Sequence, residues 1–159
     1  MRSDWFRVQG RPLAEADLCR LEETVGFDLP LELRNLLLRT NGGRLKKARG
    51  PRSRVSALRQ IYSVTDAAAS DVLLADVWRC FNDDLPERWL TVGDDSAGNQ
   101  FCVRADSAAG EVWYFRADYG EWEPPAPRPE SRDDLEFVAG SLAELFSLME
   151  PRDGQDSAT

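Results

Sequence analysis

Histidine is absent from this 159-residue chain. Without it no Ser-His-Asp or Cys-His nucleophile can be assembled. No histidine-bearing zinc site can form, and no side chain titrates near neutrality at its ordinary pKa. Carboxylate and lysine chemistry remain open. Cysteine is scarce and dispersed: Cys19, Cys80 and Cys102 form no CxxC pair, and any intramolecular disulfide leaves one of them over. Neither a zinc ribbon nor a thioredoxin-type site is indicated, so no metal and no cofactor is expected. Cys19 lies between Leu18 and Leu21 and Cys102 between Phe101 and Val103, which reads as small core residues. No apolar run approaches the roughly 20 residues of a membrane-spanning helix. Met1 to Gly10 lacks the apolar stretch of a secretory signal. The expectation is a cytoplasmic protein without membrane contact.

What is present is enough apolar material, 42%, for one core under a well-charged surface with 30% Asp, Glu, Lys and Arg. A chain of this length buries roughly 68–70% of its unfolded surface, and one domain over residues 1–150 is expected, with 151–159 a disordered tail. The formal charge is −8, which argues against general affinity for nucleic acid or anionic membrane. Seven basic residues and no acidic one lie between Arg44 and Arg59, so the remainder, with 13 basic and 28 acidic residues, carries −15. The chain reads as an acidic body with one basic segment.

The apolar spacing predicts a helix between Pro12 and Gly26 (Ala14, Leu18, Leu21, Val25). A second runs from Pro30 to Asn41-Gly42-Gly43, burying Leu33, Leu36 and Leu37. Residues 44–60 show no periodicity and are expected to form a mobile basic loop. A short strand over Ile61 to Val64 and a helix from Asp71 to Phe81 follow. Trp89 to Val92, Gln100 to Arg104 and Glu111 to Phe115 predict an antiparallel meander joined by turn-rich connections. Within it Trp113 and Tyr114 are neighbours, so one should face the core and the other an open face. Residues 117–133 form a Pro-rich loop. Leu135, Phe137 and Ala139 alternate as a last strand, and Ser141 with Glu144 is the signature of a capping box opening a final helix. The fold class is α+β, a mainly antiparallel sheet with packed helices.

Three places could carry function. Asp94-Asp95 sits in a connection whose simplest role is hairpin turn chemistry, with a partner contact as the alternative. Adjacent side chains on extended chain point apart, so the pair does not by itself make a shared acid site, and the spacing misses a calcium loop. The basic segment reads as a solvated loop, an acidic-partner site or a nucleic-acid site, the last disfavoured because no aromatic interleaves the cations. Trp122, with Asp118 and Tyr119 in an acidic loop, either packs on its own domain or anchors a partner, a role in which Trp and Tyr are enriched. The candidate partner-binding residues are Asp94, Asp95, Asn99, Asp118, Tyr119 and Trp122, and no catalytic residue is assigned.

The ordered set Glu22-Glu23-Thr24-Val25-Gly26, Leu29-Pro30, Asn41-Gly42-Gly43, Gly93-Asp94-Asp95 with Gly98-Asn99, Gly110-Glu111-Val112 and Ser141 resembles the SUKH superfamily. The resemblance is to the branch typified by the yeast cell-wall-assembly regulator, and it spans roughly Leu13 to Met149. It implies an α+β fold that works by protein contact, as in bacterial immunity proteins that neutralise secreted polymorphic toxins, often nucleases. The sequence departs from the pattern at Arg104, where many relatives are acidic, and at Leu142, where an aromatic often stands. The expected function is therefore binding of a basic toxin domain rather than of nucleic acid. The alternatives are an intracellular regulatory or scaffold adaptor on a host protein and, third, a carboxylate-dependent enzyme.

Overall fold

The computed structural model describes residues 3–66, 69–117 and 129–152. In chain order the strands are β1 (Phe6–Gln9), β2 (Gly43–Leu45), β3 (Ala48–Arg49), β4 (Gln60–Ile61), β5 (Trp89–Asp94), β6 (Gln100–Arg104), β7 (Val112–Phe115), β8 (Leu135–Ala139) and β9 (Glu150–Pro151). The helices are α1 (Glu15–Val25), α2 (Leu31–Arg39), α3 (Leu74–Phe81) and α4 (Leu142–Leu148). Seven strands form one sheet in the order β1-β2-β4-β5-β6-β7-β8, every pairing antiparallel, and β3 pairs with β9 beside it. The architecture is α+β, with the β5-β6-β7 meander at its centre.

The helical hairpin forms because Leu18, Leu21 and Val25 on α1 and Leu33, Leu36 and Leu37 on α2 recur at helical spacing and are buried together. Arg34 fastens the two: its Nε and Nη2 donate to Glu22 Oε1 at 3.1 and 3.0 Å, and Nη1 reaches Glu15. Glu22 Oε2 also accepts from Leu29 N at 2.9 Å, fixing the turn between the helices. Helix α1 begins at Glu15 rather than near Pro12 because Arg11 and Leu13 are held elsewhere. Asn41 N donates to Arg11 O and Leu13 N to Leu38 O. Asp17 then satisfies the free Ala14 N–H at 3.1 Å.

Asn41-Gly42-Gly43 does more than end α2. Asn41 is buried and its Oδ1 accepts from Val64 N (2.6 Å) and Thr65 N (3.2 Å), while Nδ2 donates to Thr65 O. Gly42, at φ 69°, lies so close to β4 that a Cβ would stand 2.6 Å from Ile61 O. Only glycine tolerates both conditions, so this dipeptide lets β2 run against β4.

Several expectations are corrected. Residues 44–60 contain β3 and parts of β2 and β4, and they bury Leu45, Val55 and Leu58; their ordering partners lie far off in sequence and leave no local period. Helix α3 starts at Leu74, because Leu73 bridges Ser63 and Ser70 Oγ caps back onto Val72 O at 2.8 Å. Cys102 is fully buried, but Cys19 sits on the exposed side of α1 and Cys80 is exposed too. Pro151 belongs to β9, and residues 153–159 lie outside the described ones.

The sheet is apolar on both sides. Leu90, Val92, Phe101, Val103, Val112 and Tyr114 face the helices in the main core. Trp89, Cys102, Trp113 and Phe115 pack on the opposite face with Leu85 and Leu135. Trp113 and Tyr114 do point apart, yet both are buried; there is no open face at that point. Trp78 is half-buried against the main core. In β8 the pairing shifts between Val112 and Trp113, which face Ala139 and Phe137. The extra residue, Val138, enters the main core beside Ala139, and Phe137 is left 40% exposed, edge-on to Trp113. A bulge thus breaks the simple alternation. Ser141 caps α4 as expected, accepting from Glu144 N at 3.1 Å. The Glu144 carboxylate returns to Gly140 N, one residue before the cap, at 2.6 Å.

Candidate functional site

Where β4 meets β5 the acidic body and the basic segment are joined. Arg59 grips Asp94 with two parallel bonds, Nε to Oδ1 and Nη2 to Oδ2, both 3.1 Å. Its remaining nitrogen reaches Asp71 Oδ2 at 3.0 Å, and Arg44 takes the other oxygen of Asp71 at 3.0 Å. Gln60, buried between them, donates to Asp94 Oδ2 (3.0 Å) and accepts from Asp71 N (3.1 Å). A forked guanidinium–carboxylate pair of this kind fixes geometry as well as charge. Hydrogen bonding to Asp94, opposed by partial burial, holds the Arg59 guanidinium above its already high ordinary pKa.

Asp95 faces the other way and serves a separate network. Its Oδ1 accepts from Ala97 N at 2.8 Å and Asn99 N at 3.0 Å. Oδ2 accepts from Asn99 Nδ2 at 3.0 Å and from the Tyr114 hydroxyl. Burial alone would raise its carboxyl pKa, but these bonds outweigh burial and hold it below the usual carboxylate range. Burial, reinforced by the Asp95 charge, pushes the Tyr114 phenol up to about 12. Tyr62 donates to Gln100 Oε1 at 2.6 Å, and its phenol is displaced upward by burial and then by the charge of Asp94.

Asp94 (8% exposed), Asp95 (1%) and the half-buried Asn99 are therefore all hydrogen-bonded within the fold. The two carboxylates share no partner, so they do not form a dyad for proton transfer. For Asp95 the turn-building role, weighed in the sequence against a partner contact, is the one its geometry displays: a buried carboxylate with both oxygens accepting hydrogen bonds. Asp118, Tyr119 and Trp122 lie outside the described residues. Sequence reading missed Arg59, Gln60, Asp71 and Gln100 as members of these networks. The one signal was indirect: a run of cations without local acids must find its counter-charges at long range.

Arg104, the charge departure noted above, pairs with its own neighbours Asp106 (2.7 Å) and Glu111 (3.4 Å). Among the described residues no group of three or more Cys, Asp or Glu is arranged to hold a metal ion. No helix among them is long and apolar enough to cross a membrane.

No curated protein matches the chain. A solved structure of a protein from Pseudomonas syringae pv. tomato is similar at 21% identity, covering 74% of this chain and 79% of that one with a TM-score of 0.47. The profile of the SMI1 / KNR4 family (SUKH-1) matches residues 12–147, from the approach to α1 through α4. With most of its length matched, the chain belongs to the SMI1 / KNR4 family (SUKH-1).

Proposed function

We propose that this chain is a protein-binding module of the immunity type, whose acidic body covers a basic toxin domain such as a nuclease. The distribution of charge carries the reading. Arg44 and Arg59 are spent on Asp71 and Asp94, whereas Glu23, Asp28, Asp83, Glu87 and Asp133 are exposed and make no ion pair among the described residues. Outside the basic segment the formal charge is −15, and such a surface speeds encounter with a basic partner and disfavours acidic ones. Membership of the family supports action by contact, as does the use of the buried carboxylates in structure rather than as a free acid pair.

The test is co-expression with the product of the neighbouring gene, read as growth and as complex formation on size exclusion. Restored growth and a complex that weakens as salt rises are expected. Continued toxicity with no complex at low salt refutes the proposal.

A further inference from the structure

Independently of the immunity reading, one groove of about 570 Å³ reverses the charge of the rest of the surface. Lys46, Lys47 and Arg152 line it together with the apolar side chains of Ala48, Ala57 and the buried Leu58. Among the described residues no Asp or Glu lines it; the fourth cation, Arg59, is already held by Asp94 and Asp71. Lys46, Lys47 and Arg152 make no ion pair among the described residues. Backbone bonds bring them together: Lys46 N donates to Trp5 O at 2.9 Å and Arg152 N to Lys47 O at 3.0 Å. Residues distant in sequence are thus fastened so that three cations without an ion pair among the described residues border one groove.

We propose that this groove binds an acidic protein segment in extended conformation, its carboxylates on Lys46, Lys47 and Arg152 and its small apolar side chains against Ala48, Ala57 and Leu58. Charge complementarity selects the occupant. Alternate residues of an extended chain face opposite ways, which suits a groove lined by both cations and apolar side chains. A nucleic acid is the poorer fit. Among the described residues no aromatic lines the groove for a base to stack on, and a long polyanion would have to cross an acidic body whose formal charge is −15.

Fluorescence anisotropy on the full chain tests this with a short labelled peptide of alternating Glu and Ala. Its Gln–Ala counterpart and a single-stranded oligothymidine serve as comparison probes. The Glu–Ala peptide should bind saturably and more weakly at high salt, ahead of both comparison probes. Lys46→Glu with Lys47→Glu should weaken it roughly tenfold or more, since inverted charge complementarity at a contact costs at least that factor. Ala97→Trp, which fills the groove from an exposed turn and leaves every cation in place, should also block it. If the double variant melts early, Ala97→Trp decides. No binding of the acidic peptide, equal binding of the Gln–Ala peptide, tighter binding of oligothymidine, or indifference to both variants would overturn the proposal. So would salt-labile self-association that the double variant abolishes while the peptide fails to bind, because the occupant would then be a second copy.

Discussion

Replacing Asp95 isolates the contribution of one buried carboxylate to this fold. Asp95→Ala removes the acceptor of four donors: two turn amides, the Asn99 side chain and the Tyr114 hydroxyl. Hydrogen bonds to a charged group contribute about 1.5–3 kcal/mol each, but only where water cannot replace the lost partner. The turn around Ala97 is exposed and would be rehydrated, whereas the Tyr114 hydroxyl is buried and keeps most of its penalty. The expected loss is therefore about 3–4 kcal/mol at neutral pH rather than the sum of four bonds. Asp95→Asn keeps one oxygen for the two amides and turns an N–H toward Asn99; about 1–2 kcal/mol is expected. The pH dependence follows from the depressed carboxyl pKa. A carboxyl that holds its proton less tightly when folded adds stability above its unfolded pKa of about 3.9, and that stability is lost as pH falls through the folded value. Urea unfolding should thus show the gap between wild type and Asp95→Asn narrowing below about pH 4. An Asp95→Ala variant within about 0.5 kcal/mol of wild type, or a gap unchanged from neutral to acid pH, would refute the reasoning.

Ser141→Ala deletes the cap of α4 and should cost about 1 kcal/mol, a fall in melting temperature of about 2–4 °C for a chain of this size. Gly42→Ala meets both left-handed strain and backbone 2.6 Å away, whereas Gly98 at φ 87° has nothing within 4 Å of a built Cβ. Denaturant unfolding should find about 3 kcal/mol lost at Gly42 and about 1 kcal/mol at Gly98; equal losses would contradict the close approach of β2 to β4. Thiol titration of the native chain should count Cys19 and Cys80 promptly and Cys102 only after unfolding. Cys102 is fully buried, and its thiol pKa is pushed up by that burial.

The helical hairpin and the meander were legible because their information is local. Leu18, Leu21 and Val25 repeat at the helical period, and turn-rich connections bracket β5, β6 and β7. The basic segment was not legible for the converse reason. Residues 44–60 owe their order to distant partners: Arg44 and Arg59 meet Asp71 and Asp94, Arg52 donates to Val138 O at 2.8 Å, and Ala48–Arg49 pairs with Glu150–Pro151. Asp94-Asp95 was visible as turn chemistry. That one carboxylate would turn to an arginine and the other to a tyrosine depends on strands far apart in sequence.

From sequence alone came the α+β fold class, the exclusion of histidine-dependent chemistry, a capped final helix and an acidic body with a separate basic segment. Sequence suffices for these, since periodicity and capping act within a turn or two of chain and composition needs no partner at all. Tertiary structure alone decided that the sheet would have two apolar faces, that the expected contact acids Asp94 and Asp95 would be buried, and that Lys46, Lys47 and Arg152 would border one groove. Each of those outcomes is a pairing between residues that only the assembled sheet brings within reach, and no local pattern encodes it.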